Sequence, residues 1–261
     1  MGFAKDIIME ITLLGTGTSC GVPQIGCQCK VCTSTDPRDK RLRCSALVET
    51  ESTTLLVDCG PDFREQMLRI GMRKPIDACL ITHEHYDHVG GIDDLRPFSY
   101  LQTLPLYADS YSARHLRERL PYCLVTNLYP GVPQLELREV APHDTFAVGD
   151  ISVTALKVMH GELPILGYRI GDIGYITDMK TMPEEEMELL KGVKILLVNG
   201  LRQKPHPTHQ TIQDAVDFSK KIGSPETYII HLCHHAGLHA DVDAGLPDGV
   251  HLAYDGLKIS L

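Results

Sequence analysis

The sequence predicts an α/β domain, and three observations carry that expectation. Apolar runs of strand length recur through both halves of the chain and stop at polar or glycine-containing turns. Between several of them lie amphipathic segments long enough for helices, opened by proline or closed by glycine. The 261 residues also suffice to bury a large core. One domain spanning 1–261 is expected, its second half repeating the strand-rich pattern of the first. The halves are expected to meet near residue 130, within the proline-bearing connector Pro121 to Pro133.

Taken in order, Met9 to Leu14 reads as the first strand, and Gly15 and Gly17 let the backbone turn tightly after it. No helix-forming stretch and no Lys-Ser or Lys-Thr pair follows, so a tight turn is expected there rather than a nucleotide loop. Cys44 to Glu49 and Thr54 to Val57 read as paired strands joined at Glu51 and Ser52. Pro61 opens a helix to about Arg69 with Phe63, Met67, Leu68 and Ile70 on its inner side, and Gly71 closes it. Ile76 to Thr82 and Leu104 to Tyr107 are strand-like, and Ser110 to Leu120 is a helix whose Arg114, Arg117, Glu118 and Arg119 form a wet face. In the second half Leu135 to Val140, Ile151 to Val158, Ile165 to Ile170, Gly174 to Asp178, Val193 to Val198 and Thr227 to Ile230 read as strands. Pro183 to Leu190 and Gln210 to Ile222 read as helices.

Composition narrows the function classes. A net charge of −9 argues against a nucleic-acid binder with a broad basic face, and the basic segment Arg38 to Arg43 reads as a solvated loop. No apolar run approaches the ~18–20 residues of a membrane span. Met1 to Glu10 lacks the plan of a secretory signal, so a cytoplasmic location is expected. Of the nine cysteines, Cys20, Cys27, Cys29, Cys32 and Cys44 crowd the first fifth of the chain. Without a signal peptide such a cluster points to ligands rather than disulfides. The run Cys27-Gln28-Cys29-Lys30-Val31-Cys32 can turn three thiolates toward one ion, and the fourth ligand is open between His234, His235, Cys20 and Cys44.

The densest chemistry is His83-Glu84-His85-Tyr86-Asp87-His88, directly after an apolar run. Imidazole and carboxylate are the donors that zinc, manganese or iron take. His83 and His85, two apart in an extended turn, can point to one ion while Asp87 and His88 turn toward a second. Two ions ~3.5–4 Å apart can clamp a phosphoryl or acyl group under attack by hydroxide. His160, Asp178 and His231 each stand where another apolar run stops, as His83 does, and strand ends form the rim on which sites assemble. Asp58, also at a strand end, is a candidate to hold the metal loop in place.

This H-x-H-x-D-H motif, followed in order by His160, Asp178 and His231, resembles the metallo-β-lactamase superfamily; Leu13-Leu14-Gly15-Thr16-Gly17 and Asp58 match its early motifs. The Cys27 to Cys32 cluster, with His231 and His234 three apart, is similar to the PhnP group of cyclic phosphodiesterases, and the likeness extends to Leu246-Pro247-Asp248-Gly249 and Tyr254-Asp255-Gly256. The resemblance implies a four-layer αββα sandwich. It implies one catalytic ion on His83, His85 and His160 and another on Asp87, His88 and His231, with Asp178 bridging and manganese or zinc as the metal. A structural zinc would be held by Cys27, Cys29, Cys32 and His234. His209 corresponds to the histidine that in this group contacts the phosphate. Asn199-Gly200 departs from the Asp-Cys pair common in relatives and is expected to bear on substrate preference.

The expected activity is metal-dependent hydrolysis of a small phosphodiester, of cyclic ribose or nucleotide type, by a bridging hydroxide, with Asp87, Asp178 and His209 as catalytic residues. The substrate is expected to be a small molecule rather than extended nucleic acid, and the resemblance makes a homodimer plausible. Rival readings are a carboxylic-ester or thioester hydrolase, an RNA-processing nuclease on the same site, and a metal-stabilised binding module without turnover.

Overall fold

A computed structural model describes residues 8–71, 74–100, 102–124 and 131–261. The first seven residues weighed as a leader, and the boundary expected near residue 130, lie outside the described residues. Strands β1 (Glu10–Gly15), β2 (Ser45–Glu49), β3 (Thr54–Val57), β4 (Ala78–Leu80), β5 (Leu104–Ala108) and β6 (Leu135–Glu139) join with β14 (Lys258–Ser260) in one sheet, ordered β14-β1-β2-β3-β4-β5-β6. The other sheet contains β7 (Thr145–Val148), β8 (Ile151–His160), β9 (Leu163–Ile170), β10 (Ile173–Ile176), β11 (Ile195–Asn199), β12 (Glu226–Ile230) and β13 (Val250–Leu252), ordered β13-β12-β11-β10-β9-β8-β7. Both sheets share one plan. Pairing is antiparallel up to β3 and up to β10, and parallel from there to β6 and to β13. Parallel strands point their carboxyl ends to one edge, which is where the polar residues that stop the apolar runs collect.

The sheets face one another across an apolar interior. Ile11, Val48, Leu55 and Leu80 from the first meet Val153, Ile170, Tyr175 and Leu197 from the second, all buried. Strands buried on both faces read as continuous apolar runs, which explains the unbroken Thr54–Val57 and Ile195–Asn199 segments. Outside the first sheet lie α1 (Phe63–Ile70), α2 (Tyr86–Val89), α3 (Ser110–Arg119) and α4 (Pro121–Leu124), which bury Phe63, Met67, Val89, Ala113, Leu116 and Cys123 on it. Outside the second lie α5 (Glu184–Leu190), α6 (Ile212–Ile222) and α7 (His239–Asp243), led by Leu190, Ile212, Val216 and Phe218. The result is the expected helix, sheet, sheet, helix order.

Helix ends follow the local chemistry. Asp109 caps α3 by accepting from Ser112 N at 2.9 Å. Thr211 and Asp214 form a reciprocal capping box on α6, and Gly223 ends it with φ 76°. The short strands β7, β13 and β14 and the single-turn α7 have no counterpart in the sequence reading: three- or four-residue edge strands pair through their backbones and carry no periodic side-chain signal. Arg41 is a correction. It is not solvated but buried, donating to Thr16 Oγ1 and to Ala253 O and facing His239 Nδ1 at 3.2 Å. Arg43 is paired with Asp62 at 3.0 Å.

Candidate metal centre

β4 runs on through Ile81 and Thr82 into His83, all buried. His85 keeps an extended backbone as the N-cap of α2, and Asp87 and His88 ride the single turn that follows. The extended pair therefore faces one way and the helical pair another. The other sheet adds His160 at the end of β8, Asp178 just past β10 and His231 just past β12. Asp58, Asp178 and His231 all adopt left-handed backbone, with φ of 58°, 53° and 57°. Asp and His tolerate that region better than most side chains, and such outliers gather at functional sites.

Two groups of donors result. One donor atom from each of His83, His85 and His160 lies within 4.8 Å of the others, and so do donors from Asp87, His88, Asp178 and His231. Asp178 stands between them. Its Oδ1 is 3.1 Å from His231 Nε2 and 3.4 Å from His88 Nε2, while its Oδ2 is 3.8 Å from His83 Nε2. Surrounding atoms fix the rings. Asp58 Oδ2 takes the Nδ1 proton of His88 at 2.7 Å, and Thr82 donates to Asp58 through both N and Oγ1. The Nδ1 proton of His160 goes to Asp178 O at 2.8 Å. These bonds hold each ring's other nitrogen toward the centre, as outer partners of metal ligands do.

Electrostatics show what the centre wants. Burial alone pushes the Asp178 carboxyl up, but His231 and His88 outweigh it and hold it well below the usual carboxylate range. Burial opposes charge on His88, and the carboxylates of Asp87, Asp178 and Asp58 overcome it, raising that ring well above its ordinary value. His83 is driven the other way, first by burial and then by His88. Among the described residues His88 Nε2 and both ring nitrogens of His231 are buried with no hydrogen-bond partner. Buried polar atoms without partners are costly, and here they converge with two carboxylates. A divalent cation fits this donor set and would take up His88 Nε2 and His231 Nε2 together, beside Asp87 and Asp178.

His209 lies closer to the centre than a remote phosphate contact requires. Its Nε2 is 3.1 Å from Asp178 Oδ2, it stacks on His231 at 5.1 Å between ring centres, and it is itself within ligand range of His160 and Asp178. Burial first, against the pull of Asp178, lowers it to about 4, so it is neutral at pH 7.

In a separate group, the loop 27–32 meets His234. Its Nδ1 lies 3.1 Å from Cys27 Sγ, 3.4 Å from Cys29 Sγ and 3.5 Å from Cys32 Sγ, and all four donors fall within 4.8 Å of one another. The Cys32 N–H lowers the Cys29 thiol to about 6, whereas burial raises Cys32 to about 11. Cys20 and Cys44 do not join, which removes them as fourth ligands. Cys20 is exposed, and Cys44 is buried beside the Tyr175 hydroxyl with its thiol pushed up to about 12 by burial. The His235 ring lies 4.0 Å from that of His234, centre to centre and tilted by 40°, but stands outside the group. Asp93 pairs with Arg96, as a solvated carboxylate would.

Asn199 has no functional reading in sequence beyond its departure from relatives. In the structure its Oδ1 accepts from Met179 N at 2.7 Å and its Nδ2 donates to Met179 O at 3.0 Å, clamping the peptide next to Asp178. Thr82, Thr177 and Thr208, each hydrogen-bonded to a residue of the centre, were equally silent. A threonine beside a strand end carries no motif.

The model of the β-lactamase superfamily domain matches residues 53–232. A solved structure of a diphosphatase from the PhnP family is 40% identical and superposes with a TM-score of 0.91 over 98% of both chains. Zinc-bound PqqB from Methylobacterium extorquens shares the fold, with a TM-score of 0.79 over 97% of this chain and all of that one, at 20% identity. An octanoyltransferase of Porphyromonas gingivalis is 50% identical over 96% of this chain but only 51% of its own length. The chain thus spans about half the length of the curated relatives it matches.

Proposed function

Because the chain belongs to the metallo-β-lactamase superfamily, we propose that it is a dinuclear metallohydrolase acting on a small phosphodiester, of cyclic ribose or nucleotide type. His83, His85 and His160 would hold one manganese or zinc ion and Asp87, His88 and His231 a second, with Asp178 shared. Cys27, Cys29, Cys32 and His234 would hold a structural zinc. When bound, the paired ions supply the positive charge that attracts a phosphate and makes water acidic enough to attack it. The observation that carries this reading is the reach of the Asp178 carboxylate toward both imidazole groups, 3.1 Å to His231 and 3.8 Å to His83.

The chain's own groups have separate tasks. Asp58 holds the His88 proton on Nδ1. Thr208 Oγ1 lies 2.9 Å from His209 Nδ1; donating there, it leaves the His209 proton on Nε2, facing Asp178 Oδ2. Exchanging Asp178 Oδ2 for a phosphoryl oxygen, that N–H would donate a hydrogen bond to the charge that develops there. Neutral His209 adds no charge to an already crowded centre.

A second reading is favoured by the octanoyltransferase likeness: the same centre would attack an acyl ester or thioester. That name belongs to a protein about twice as long, of which this chain matches one half. A panel of cyclic and linear phosphodiesters, a carboxylic ester, a thioester and a β-lactam, each tested with manganese and with zinc, separates the two. Preference for an ester or thioester over every phosphodiester would overturn the phosphodiesterase reading.

A further inference from the structure

Glu84, within the run His83 to His88, is a buried carboxylate that belongs to none of the metal-binding groups. Its side chain is only 8% exposed, and Oε2 is buried with no hydrogen-bond partner. Burying an unanswered carboxylate oxygen is costly, so its presence calls for a reason. Arg119 of α3 donates to Glu84 O, which fixes the backbone between the two ligand rings. The other carboxylate oxygen, Oε1, lies 3.9 Å from Nε2 of His85.

The neighbouring rings show what His85 lacks. His83 Nε2 and His85 Nδ1 lie 3.0 Å apart, so these are the nitrogens that converge on one position. A neutral imidazole carries one proton, and a cation on one nitrogen leaves that proton on the other. The proton of each companion ring has a taker. Thr82 Oγ1 lies 3.0 Å from His83 Nδ1, Asp178 O lies 2.8 Å from His160 Nδ1, and Asp58 Oδ2 lies 2.7 Å from His88 Nδ1. For His85 the outward nitrogen is Nε2, and among the described residues Glu84 is the only carboxylate paired with it. The His85 side chain is also 42% exposed, against 1% for His83 and 0% for His88, so it has the least packing to hold it.

We propose that Glu84 is a positioning residue: its carboxylate accepts the Nε2 proton of His85 and so holds Nδ1 toward the ion shared with His83 and His160. This rests on the dinuclear reading and deepens it. A carboxylate on the outer nitrogen of a ligand histidine fixes the tautomer and the ring and makes the ligand more basic. The unanswered charge of Glu84 is then the cost of a site prepared for its metal. No other residue supplies that partner to the most exposed ring of the centre.

Zinc affinity, read by competition with a chromophoric chelator, tests this without turnover. Glu84→Ala should weaken one ion of the centre about 10–100-fold and leave the ion of the Cys27, Cys29, Cys32 and His234 group unchanged. Glu84→Gln keeps an oxygen acceptor without the charge and should lose less. Without metal, neither variant should melt below the parent, because the group removed is unsatisfied in that state. Nitrogen NMR of the zinc-loaded parent should place the His85 proton on Nε2, slow to exchange with water; in Glu84→Ala it should exchange fast. Equal affinities in parent and variants, or a His85 proton indifferent to Glu84, overturn the role and leave the metal centre standing. Equal weakening of both ions of the centre also overturns it, since that is the mark of a general charge effect. A variant that melts lower without metal yet binds zinc as the parent does would make Glu84 a structural residue and reject the proposal. A parent that takes zinc at the thiol group alone overturns both the role and the dinuclear reading.

Discussion

Asp178 illustrates how much one residue is asked to do. Its carboxylate is buried, its backbone is left-handed at φ 53°, its Oδ1 accepts from Thr177 Oγ1, and Asn199 grips both polar groups of the next peptide. Asp178→Asn keeps the size and the backbone tolerance and removes the charge, so turnover of the best diester should fall about 1000-fold, a loss of the size seen when a transition-state contact is deleted. The melting curve of the metal-depleted variant should stay close to that of the metal-depleted parent; retained turnover would remove Asp178 as the shared ligand. Asn199→Ala acts differently. It strips the partner from the Met179 N–H, while Met179 O keeps the Gln210 N–H at 3.0 Å, so the cost is about 1–3 kcal/mol for the one group left unsatisfied. Urea unfolding of the variant should show that loss, and an unchanged midpoint would mean that Met179 finds other partners.

At the level of elements, stability is spread over ends and staples rather than long helices. The α6 capping box satisfies two backbone donors at the helix start. Thr211→Ala should therefore cost about 1 kcal/mol, readable as a shift of about 2–4 °C in melting temperature for a chain of this size. The loop 27–32 has only a small apolar cluster of its own, Val22, Val31 and Cys32, so its shape depends on the four donors at its centre. Cys29→Ser should lower bound zinc by one ion per chain and reduce the melting temperature by about 5 °C or more, while catalytic turnover at low temperature changes little. Equal metal content and stability in parent and variant would reject a structural zinc there.

Across the whole molecule, the proposed ligands come from both sheets, His83, His85, Asp87 and His88 from one and His160, Asp178 and His231 from the other. Ions bound between them would tie the two layers together. Such linkage is worth about 2.7 kcal/mol when free metal is a hundred times its dissociation constant. Chelation should therefore abolish hydrolysis, lower the melting temperature, and speed amide exchange at the ends of β4, β10 and β12 together; re-addition of manganese or zinc should reverse all three. Loss of protection in one sheet alone would place the metal within that sheet. Among the described residues no helix is long and apolar enough to cross a membrane.

Sequence by itself determined the buried inner strands and which polar residues end them, though not the short edge strands β7, β13 and β14, because burial on two faces demands unbroken apolar stretches and a buried stretch must stop where the chain needs polar chemistry. Donor types packed into His83 to His88 and Cys27 to Cys32 were legible for the same reason: spacing within a few residues survives any fold. Only the tertiary structure decided that Cys44 is a buried core thiol, that Arg41 is buried, and that Asn199 holds Met179, the residue after Asp178; it also brings His234 within donor range of the loop thiols, as the resemblance implied. Those outcomes depend on which strand ends become neighbours across two sheets. Long-range adjacency is set by the packing of whole layers, and no local pattern in the chain encodes it.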